Sequence, residues 1–203
     1  MSGGGTWLGV TRNGRMAALT NFRDPQGFRE DARSRGKLVA DFLLGTQSAT
    51  DYLNAVLQAV ESYNAFNLLV WDGEFLMGLE SRHKHFFPMD PGVGAVSNAD
   101  FMTPWPKLER LRAGLRQAQG LVLPAHEQTF WNLLSDEQVA PDAQLPATGI
   151  ALERERVLSP AFIRTPDYGT RSSTLLRLDS GGLWMKERRF DYLGLTGTSA
   201  FTS

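Results

Sequence analysis

The sequence has 203 residues, of which 21 are Lys or Arg and 22 are Asp or Glu, so its formal net charge is −1. A nearly neutral chain gives no electrostatic reason to expect nucleic acid or an anionic membrane as a partner. The sequence contains no cysteine, which excludes disulfides, cysteine-ligated metal sites and a cysteine nucleophile within these residues. It has no apolar run of membrane-spanning length and no signal-peptide pattern, so we expect a cytoplasmic protein without a membrane span.

A β-hairpin is predicted at the start of the chain. Residues 6–11 and 15–22 have strand character and are joined by Asn13-Gly14, which is typical of a two-residue type I′ turn. On the second strand Asn21 shares a face with Leu19. If that face belongs to the core, Asn21 is a buried polar group that needs a partner or a ligand.

The polar stretch 23–36 predicts a surface loop with three arginines, at positions 29, 33 and 35. Such a group can clamp an anion, but a solvated loop with local acidic partners is the favoured interpretation. Further along, hydrophobic periodicity and turn residues predict helices over 37–44, 49–60, 107–119, 125–134 and 149–157, and strands over 66–71, 74–80, 83–87, 171–178 and 183–190. Hairpins interspersed with blocks of helix indicate an α+β fold.

Two histidines two residues apart, His83 and His85, would share one face of a strand. A metal site would need a third ligand, such as His126 or an acid. Nothing in the spacing indicates one, so we expect no metal site and no cofactor.

The stretch 91–107 carries the most information about function. Its apolar run Val93–Val96 predicts a buried strand that ends at Asn98, and Thr103-Pro104 predicts the start of a helix. A strand that ends in Asn before a helix can present a carboxamide to a ligand, although Asn also serves as an ordinary turn residue.

This stretch also carries a family resemblance. Ser97-Asn98-Ala99 followed by Thr103-Pro104-Trp105-Pro106-Lys107 resembles a signature of the NRDE family, the transport-and-Golgi-organisation type of protein. Four further segments resemble the family in the same order: residues 4–9 (Gly-Gly-Thr-Trp-Leu-Gly), 18–22 (Ala-Leu-Thr-Asn-Phe), 63–68 (Tyr-Asn-Ala-Phe-Asn-Leu) and 168–171 (Tyr-Gly-Thr-Arg).

The resemblance implies a four-layer α-β-β-α sandwich like that of N-terminal-nucleophile hydrolases. In those enzymes the first residue of the mature chain attacks an amide carbonyl. Relatives usually begin with Met-Cys and carry an Asn-Arg-Asp-Glu motif, and this sequence has neither. We therefore expect Met1 to be an internal methionine, the first strands to be absent, residues 1–190 to form one N-terminally truncated domain, and 191–203 to be a flexible tail. Ser2 is rejected as a nucleophile because relatives have none at that position.

Three residues match functional positions of the family. By analogy Asn21 and Asn98 would contact an oxyanion or a carbonyl, and Arg171 would lie near the nucleophile. We expect the three to converge on one cavity. The alternative is structural: both Asn side chains would satisfy buried backbone groups, and Arg171 would pair with an acid.

Two functions are compatible with these features. The first is that of a protein related in fold to amide or thioester hydrolases, which is inactive because this sequence lacks the nucleophile. The second is non-catalytic binding or trafficking of a small-molecule ligand, such as haem or an acyl lipid, as the resemblance implies. The sequence does not predict the oligomeric state.

Overall fold

The computed structural model describes residues 4–25 and 27–203, so Ser2 lies outside the described residues. The chain forms two compact units, residues 1–103 (the N-terminal unit) and residues 104–203 (the C-terminal unit). Each unit combines helices with an antiparallel sheet, which confirms the α+β class. That residues 1–190 act as one domain stays a prediction.

The N-terminal unit is built on a five-stranded antiparallel sheet whose strands follow one another in chain order. Its strands are β1 (Leu8–Val10), β2 (Met16–Asn21), β3 (Phe66–Trp71), β4 (Leu76–Glu80) and β5 (His85–Pro88), and its helices are α1 (Gly36–Leu44) and α2 (Ala49–Gln58). The two helices connect β2 to β3.

The first hairpin forms as predicted, but its turn differs. Val10 pairs with Met16, so the loop has five residues, 11–15, instead of two. Gly14 adopts a positive φ of 84°, whereas Asn13 is not among the described non-glycine residues with positive φ. A type I′ turn requires positive φ at both central residues, so the type I′ prediction was wrong.

The hydrophobic core lies between α1, α2 and one face of this sheet. Leu19, Leu68 and Leu79 are at equivalent positions on three adjacent strands, and all three are buried. They pack in one cluster with Phe42 and Leu53 from the helices. Since burying one such side chain stabilises a protein by about 1.5–3 kcal/mol, this cluster holds the layers together.

The opposite face of the sheet carries a polar row. Thr20 pairs with Asn67, and Asn67 pairs with Glu80, so these three side chains lie side by side. Alternation along each strand turns them away from the leucines of the core. We call this side of the sheet the second face, and the polar row lies at one end of it.

The segment 89–103 packs on this second face as irregular chain. Val93–Val96 is not a strand, so that prediction was wrong. The segment instead bonds to side chains of the sheet: Asn67 Nδ2 donates to the oxygen of Ala99 at 2.6 Å, and the nitrogen of Phe101 donates to Glu80 Oε1 at 2.7 Å. It can approach closely because Gly78 has no side chain, and an added Cβ there would lie 3.2 Å from the Phe101 ring.

The C-terminal unit contains three α-helices and a three-stranded antiparallel sheet. These are α3 (Pro106–Gln117), α4 (Glu127–Leu134), α5 (Leu152–Val157), β6 (Ser172–Asp179), β7 (Gly182–Asp191) and β8 (Gly194–Thr202). Trp131 of α4 packs on Leu175 and Trp184 of the sheet. The first helix starts at Pro106 with Trp105 as its N-cap, later than the predicted Thr103-Pro104 start.

Residues 191–203 are not the flexible tail that the sequence predicted. β8 pairs with β7 along most of its length, from Gly194 opposite Asp191 to Thr202 opposite Trp184. Its Gly, Thr and Ser content suggested fraying, but pairing on one edge supplies the hydrogen bonds that order it. No helix in the described ranges is long and apolar enough to cross a membrane.

Candidate functional site

Asn21 and Asn98 are in direct contact although they are 77 residues apart in the chain. Asn98 Nδ2 donates a hydrogen bond of 2.9 Å to the backbone oxygen of Asn21, at the end of β2. The backbone oxygen of Asn98 in turn accepts a hydrogen bond of 2.7 Å from the nitrogen of Arg23. The Asn98 side chain thus satisfies a backbone carbonyl, as the structural alternative expected, and it also fixes the 89–103 segment to the strand end.

The Asn21 side chain lies on the core face of the sheet, with Leu19. Its partner across the ladder is Phe66, which is fully buried. Asn21 Oδ1 is itself buried and accepts no hydrogen bond from any residue in the described ranges. A buried carbonyl oxygen without a partner costs about 1–3 kcal/mol, so Asn21 Oδ1 is a candidate position for a ligand or a water molecule.

Asn67 is the most buried polar residue near these two, and it is not one of the predicted site residues. Its side chain is 1 % exposed. Its Nδ2 donates to Thr20 Oγ1 at 3.2 Å and to the oxygen of Ala99 at 2.6 Å. The signal was present in the sequence, because Asn67 is the one polar residue in the apolar strand 66–71.

Arg171 belongs to the C-terminal unit, and its relation to the two asparagines stays a prediction. It is exposed and lines a cavity of about 170 Å³ formed by residues 163–171, Asp191 and Tyr192. Within the part of the chain that the structure describes it forms no ion pair, so the predicted acidic partner is not observed. Small-molecule pockets usually measure about 300–1,000 Å³, so this cavity is smaller than most of them.

The three histidines have separate contacts. His85 stacks on Phe87 at 5.4 Å between ring centroids, and His126 Nδ1 lies 3.2 Å from the backbone oxygen of Val122. His83 is in the turn after β4, not on a strand, and its Nε2 lies 3.1 Å from Asp100 Oδ2. The predicted two-histidine face is therefore absent, and His83 instead joins an acidic group that the sequence did not indicate.

Two arginines of the 23–36 loop, Arg29 and Arg35, bind backbone oxygens. Arg29 donates to the oxygens of Glu61 and Tyr63, and Arg35 donates to the oxygen of Ala65. Burial lowers the pKa of Arg35. These contacts fasten the loop to residues 61–65, so they differ both from an anion clamp and from a loop with only local acidic partners.

Comparison with known proteins identifies the family. The family model "Transport and Golgi organisation 2" matches residues 1–191. The chain belongs to the Transport and Golgi organisation 2 family. This result confirms the resemblance found in the sequence.

Individual members of the Transport and Golgi organisation 2 family are similar over most of this chain. A "Transport and Golgi organization protein 2 homolog" of Bos taurus is 35 % identical over 192 residues, which cover 88 % of this chain and 69 % of the relative. The Homo sapiens homolog is 32 % identical over 196 residues with the same coverage, and the Mus musculus homolog is 30 % identical over 196 residues.

Proposed function

We propose that this chain is a non-catalytic ligand-binding protein of the cytoplasm that binds the carbonyl or carboxyl head of an acyl or amphipathic molecule through Asn21 and Asn98. The observation that carries the proposal is the buried Asn21 Oδ1, which has no hydrogen-bond partner within the described residues. The 2.9 Å hydrogen bond from Asn98 Nδ2 to the backbone oxygen of Asn21 attaches Asn98 to the same residue. It joins two segments that resemble functional positions of the family. The names of the relatives refer to transport and Golgi organisation, and trafficking of an acyl-lipid or haem ligand is the proposed role.

The chemistry of the carboxamide supports this assignment. A carboxamide nitrogen carries two donors and its oxygen accepts up to two hydrogen bonds. Asn98 uses one donor to hold the strand end, so its second donor can bind a ligand carbonyl. Asn21 Oδ1, buried without a partner among the described residues, can accept from a ligand amide or hydroxyl. Separately, Arg171 is proposed to bind a carboxylate in the cavity of the C-terminal unit that residues 163–171, Asp191 and Tyr192 form.

A fold relationship to amide and thioester hydrolases is part of the proposal. Each unit has helices packed on an antiparallel sheet, which is the kind of layer that a four-layer α-β-β-α sandwich needs. Binding is favoured over catalysis because the sequence contains no cysteine. In addition, the contacts of His83, His85 and His126 are with a carboxylate, a ring and a backbone carbonyl rather than with a hydroxyl.

The test is a binding titration with lauroyl-CoA and, separately, with haem. We expect saturable binding of at least one of them, weakened about fivefold in Asn98→Ala, which corresponds to one hydrogen bond of about 1 kcal/mol. Asn132→Ala is the matched control, because Asn132 is an exposed asparagine of the C-terminal unit. Thermal melts of both variants establish that they are folded. Equal affinities of wild type and Asn98→Ala would contradict the proposal.

A further inference from the structure

Three potential metal ligands meet on the second face of the N-terminal sheet. One ligand atom from each of Glu80, His83 and Asp100 lies within 4.8 Å of the others. Ligand atoms on opposite sides of a bound cation are separated by about 4–5 Å, since each bond measures about 2.0–2.6 Å. The three side chains can therefore reach one cation with small rotations.

The fold fixes the positions of all three residues. Glu80 is the last residue of β4, and His83 lies in the short turn that leads into β5. Asp100 comes from the 89–103 segment, which is held on both sides by the bonds from Asn67 to Ala99 and from Phe101 to Glu80. The ligands are thus carried by a strand end, a tight turn and an anchored loop.

A buried oxygen on Asn67, the residue that pairs with Glu80, provides independent evidence for a ligand. Asn67 is 1 % exposed, and its Oδ1 has no hydrogen-bond partner in residues 4–25 and 27–203. The orientation of its amide is determined, because only the nitrogen can donate to the oxygen of Ala99. That nitrogen also donates to Thr20 Oγ1 on β2. Because a carboxamide carries its oxygen on the side opposite its nitrogen, Oδ1 is on the side of β4, where Asn67 pairs with Glu80.

Asp100 shows the same lack of a partner. Its Oδ2 lies 3.1 Å from His83 Nε2, but its Oδ1 is buried and accepts no hydrogen bond within the described ranges. An ion pair with His83 would account for Oδ2 alone. Two oxygens, one from Asn67 and one from Asp100, therefore lack an electropositive partner among the described residues.

We infer that Glu80, His83 and Asp100, with Asn67 Oδ1 as a fourth donor, form a binding site for a first-row divalent cation such as Zn²⁺ or Mn²⁺. Imidazole suits zinc, and carboxylate and amide oxygens suit manganese. The cation also offsets the repulsion between two carboxylates brought close together. The cation site does not depend on the proposed function, because it uses neither Asn21 nor Asn98. Asn21 lies on the core face and Asn67 on the opposite face, although Asn98 and Asp100 share the 89–103 segment.

The test uses the full chain without a polyhistidine tag, dialysed against EDTA and titrated calorimetrically with ZnCl₂ and with MnCl₂. We expect one cation per chain. His83→Gln and Asp100→Asn should each weaken binding more than about tenfold, the loss that even outer-shell changes produce. The matched controls are His85→Gln and His126→Gln, which should bind as wild type does. Saturable binding that persists in both His83→Gln and Asp100→Asn would overturn the assignment, and so would its absence in wild type.

A second measurement has its main result in the wild-type chain, so that result does not depend on the folding of a variant. Mn²⁺ is paramagnetic and broadens NMR signals of nearby nuclei, so substoichiometric Mn²⁺ should first broaden the backbone amide of Phe101 and the side-chain amide of Asn67 in the wild-type chain. Glu80→Gln, which keeps an oxygen for the Phe101 amide, should remove this broadening. First broadening at any other part of the chain would refute the site.

Discussion

Replacing Asn67 tests how much its buried carboxamide contributes to holding the segment 89–103 in place. Asn67→Ala removes two hydrogen bonds, to Thr20 Oγ1 and to the oxygen of Ala99. At about 1 kcal/mol each, the variant should lose about 2 kcal/mol of unfolding free energy. For a chain of this length that loss corresponds to a decrease in Tm of about 4–8 °C.

The matched control is Thr20→Val, which removes the 3.2 Å bond to Asn67 but leaves the shorter bond to Ala99. It should cost about 1 kcal/mol or less. Urea denaturation measures both values, and hydrogen exchange at the Phe101 and Met102 amides shows whether the segment has loosened. The reasoning is refuted if Asn67→Ala lies within about 0.5 kcal/mol of wild type, or if Thr20→Val costs as much as Asn67→Ala.

Four further predictions address the rest of the molecule. Tyr52→Phe removes the 2.6 Å hydrogen bond from the hydroxyl to the oxygen of Leu38 and should cost about 1 kcal/mol in urea denaturation; an unchanged midpoint would contradict this. Burial pushes the pKa of Asp72 up, but hydrogen bonds from backbone amides outweigh it and hold the pKa below its usual range. Stability from Asp72 is therefore present above the unfolded-state pKa of about 3.9 and lost as the pH falls through the lower folded-state pKa. Thermal melts between pH 2 and 5 should then show a smaller acid-induced loss for Asp72→Asn than for wild type, and equal losses would exclude this role. Deleting residues 194–203 removes β8, so the truncated chain should lose near-UV circular dichroism from the tryptophans of the C-terminal unit; an unchanged spectrum would indicate a dispensable strand. Finally, the chain should not hydrolyse lauroyl-CoA or a peptide amide at an enzymatic rate in a thiol-release or amine-release assay, and many turnovers per chain would contradict that prediction.

Local patterns predicted most of the elements. Strand 66–71 matches β3 in full, and both hairpins form where Gly-containing turns separate apolar runs. Hydrophobic periodicity and turn residues depend on residues close together in the sequence, so they predict these elements without knowledge of the tertiary structure. The resemblance likewise selected Asn21 and Asn98, which the structure places in contact.

The errors came from positions where a distant segment decides the structure. Val93–Val96 has strand composition, but β3 and β4 already bond to their neighbours, and the segment crosses the second face using side-chain partners instead. Residues 191–203 have the composition of a frayed end, yet the edge of β7 orders them as β8. Amino-acid composition indicates the local preference for a secondary structure, but pairing with the edge of a distant strand can override that preference.

For the same reason, the sequence did not predict that Glu80, His83 and Asp100 lie close together. Asp100 and Glu80 are 20 positions apart, and only the packing of the 89–103 segment on the sheet brings them together. The lone polar residue of β3, Asn67, could have been noticed, because a carboxamide in a buried strand needs partners. The sequence could not have shown which of its two amide atoms would lack one.

The central claim is that Asn21 and Asn98 bind an acyl ligand without cleaving it. The most direct measurement is an NMR titration of the ¹⁵N-labelled chain with lauroyl-CoA, in which the side-chain amide signals of all asparagines are followed while chromatography monitors the thioester. We predict saturable shifts for Asn21 and Asn98, none for Asn132, and an intact thioester at the end of the titration. Unchanged Asn21 and Asn98 signals at saturating lauroyl-CoA, or cleavage of the thioester over many turnovers, would contradict the account.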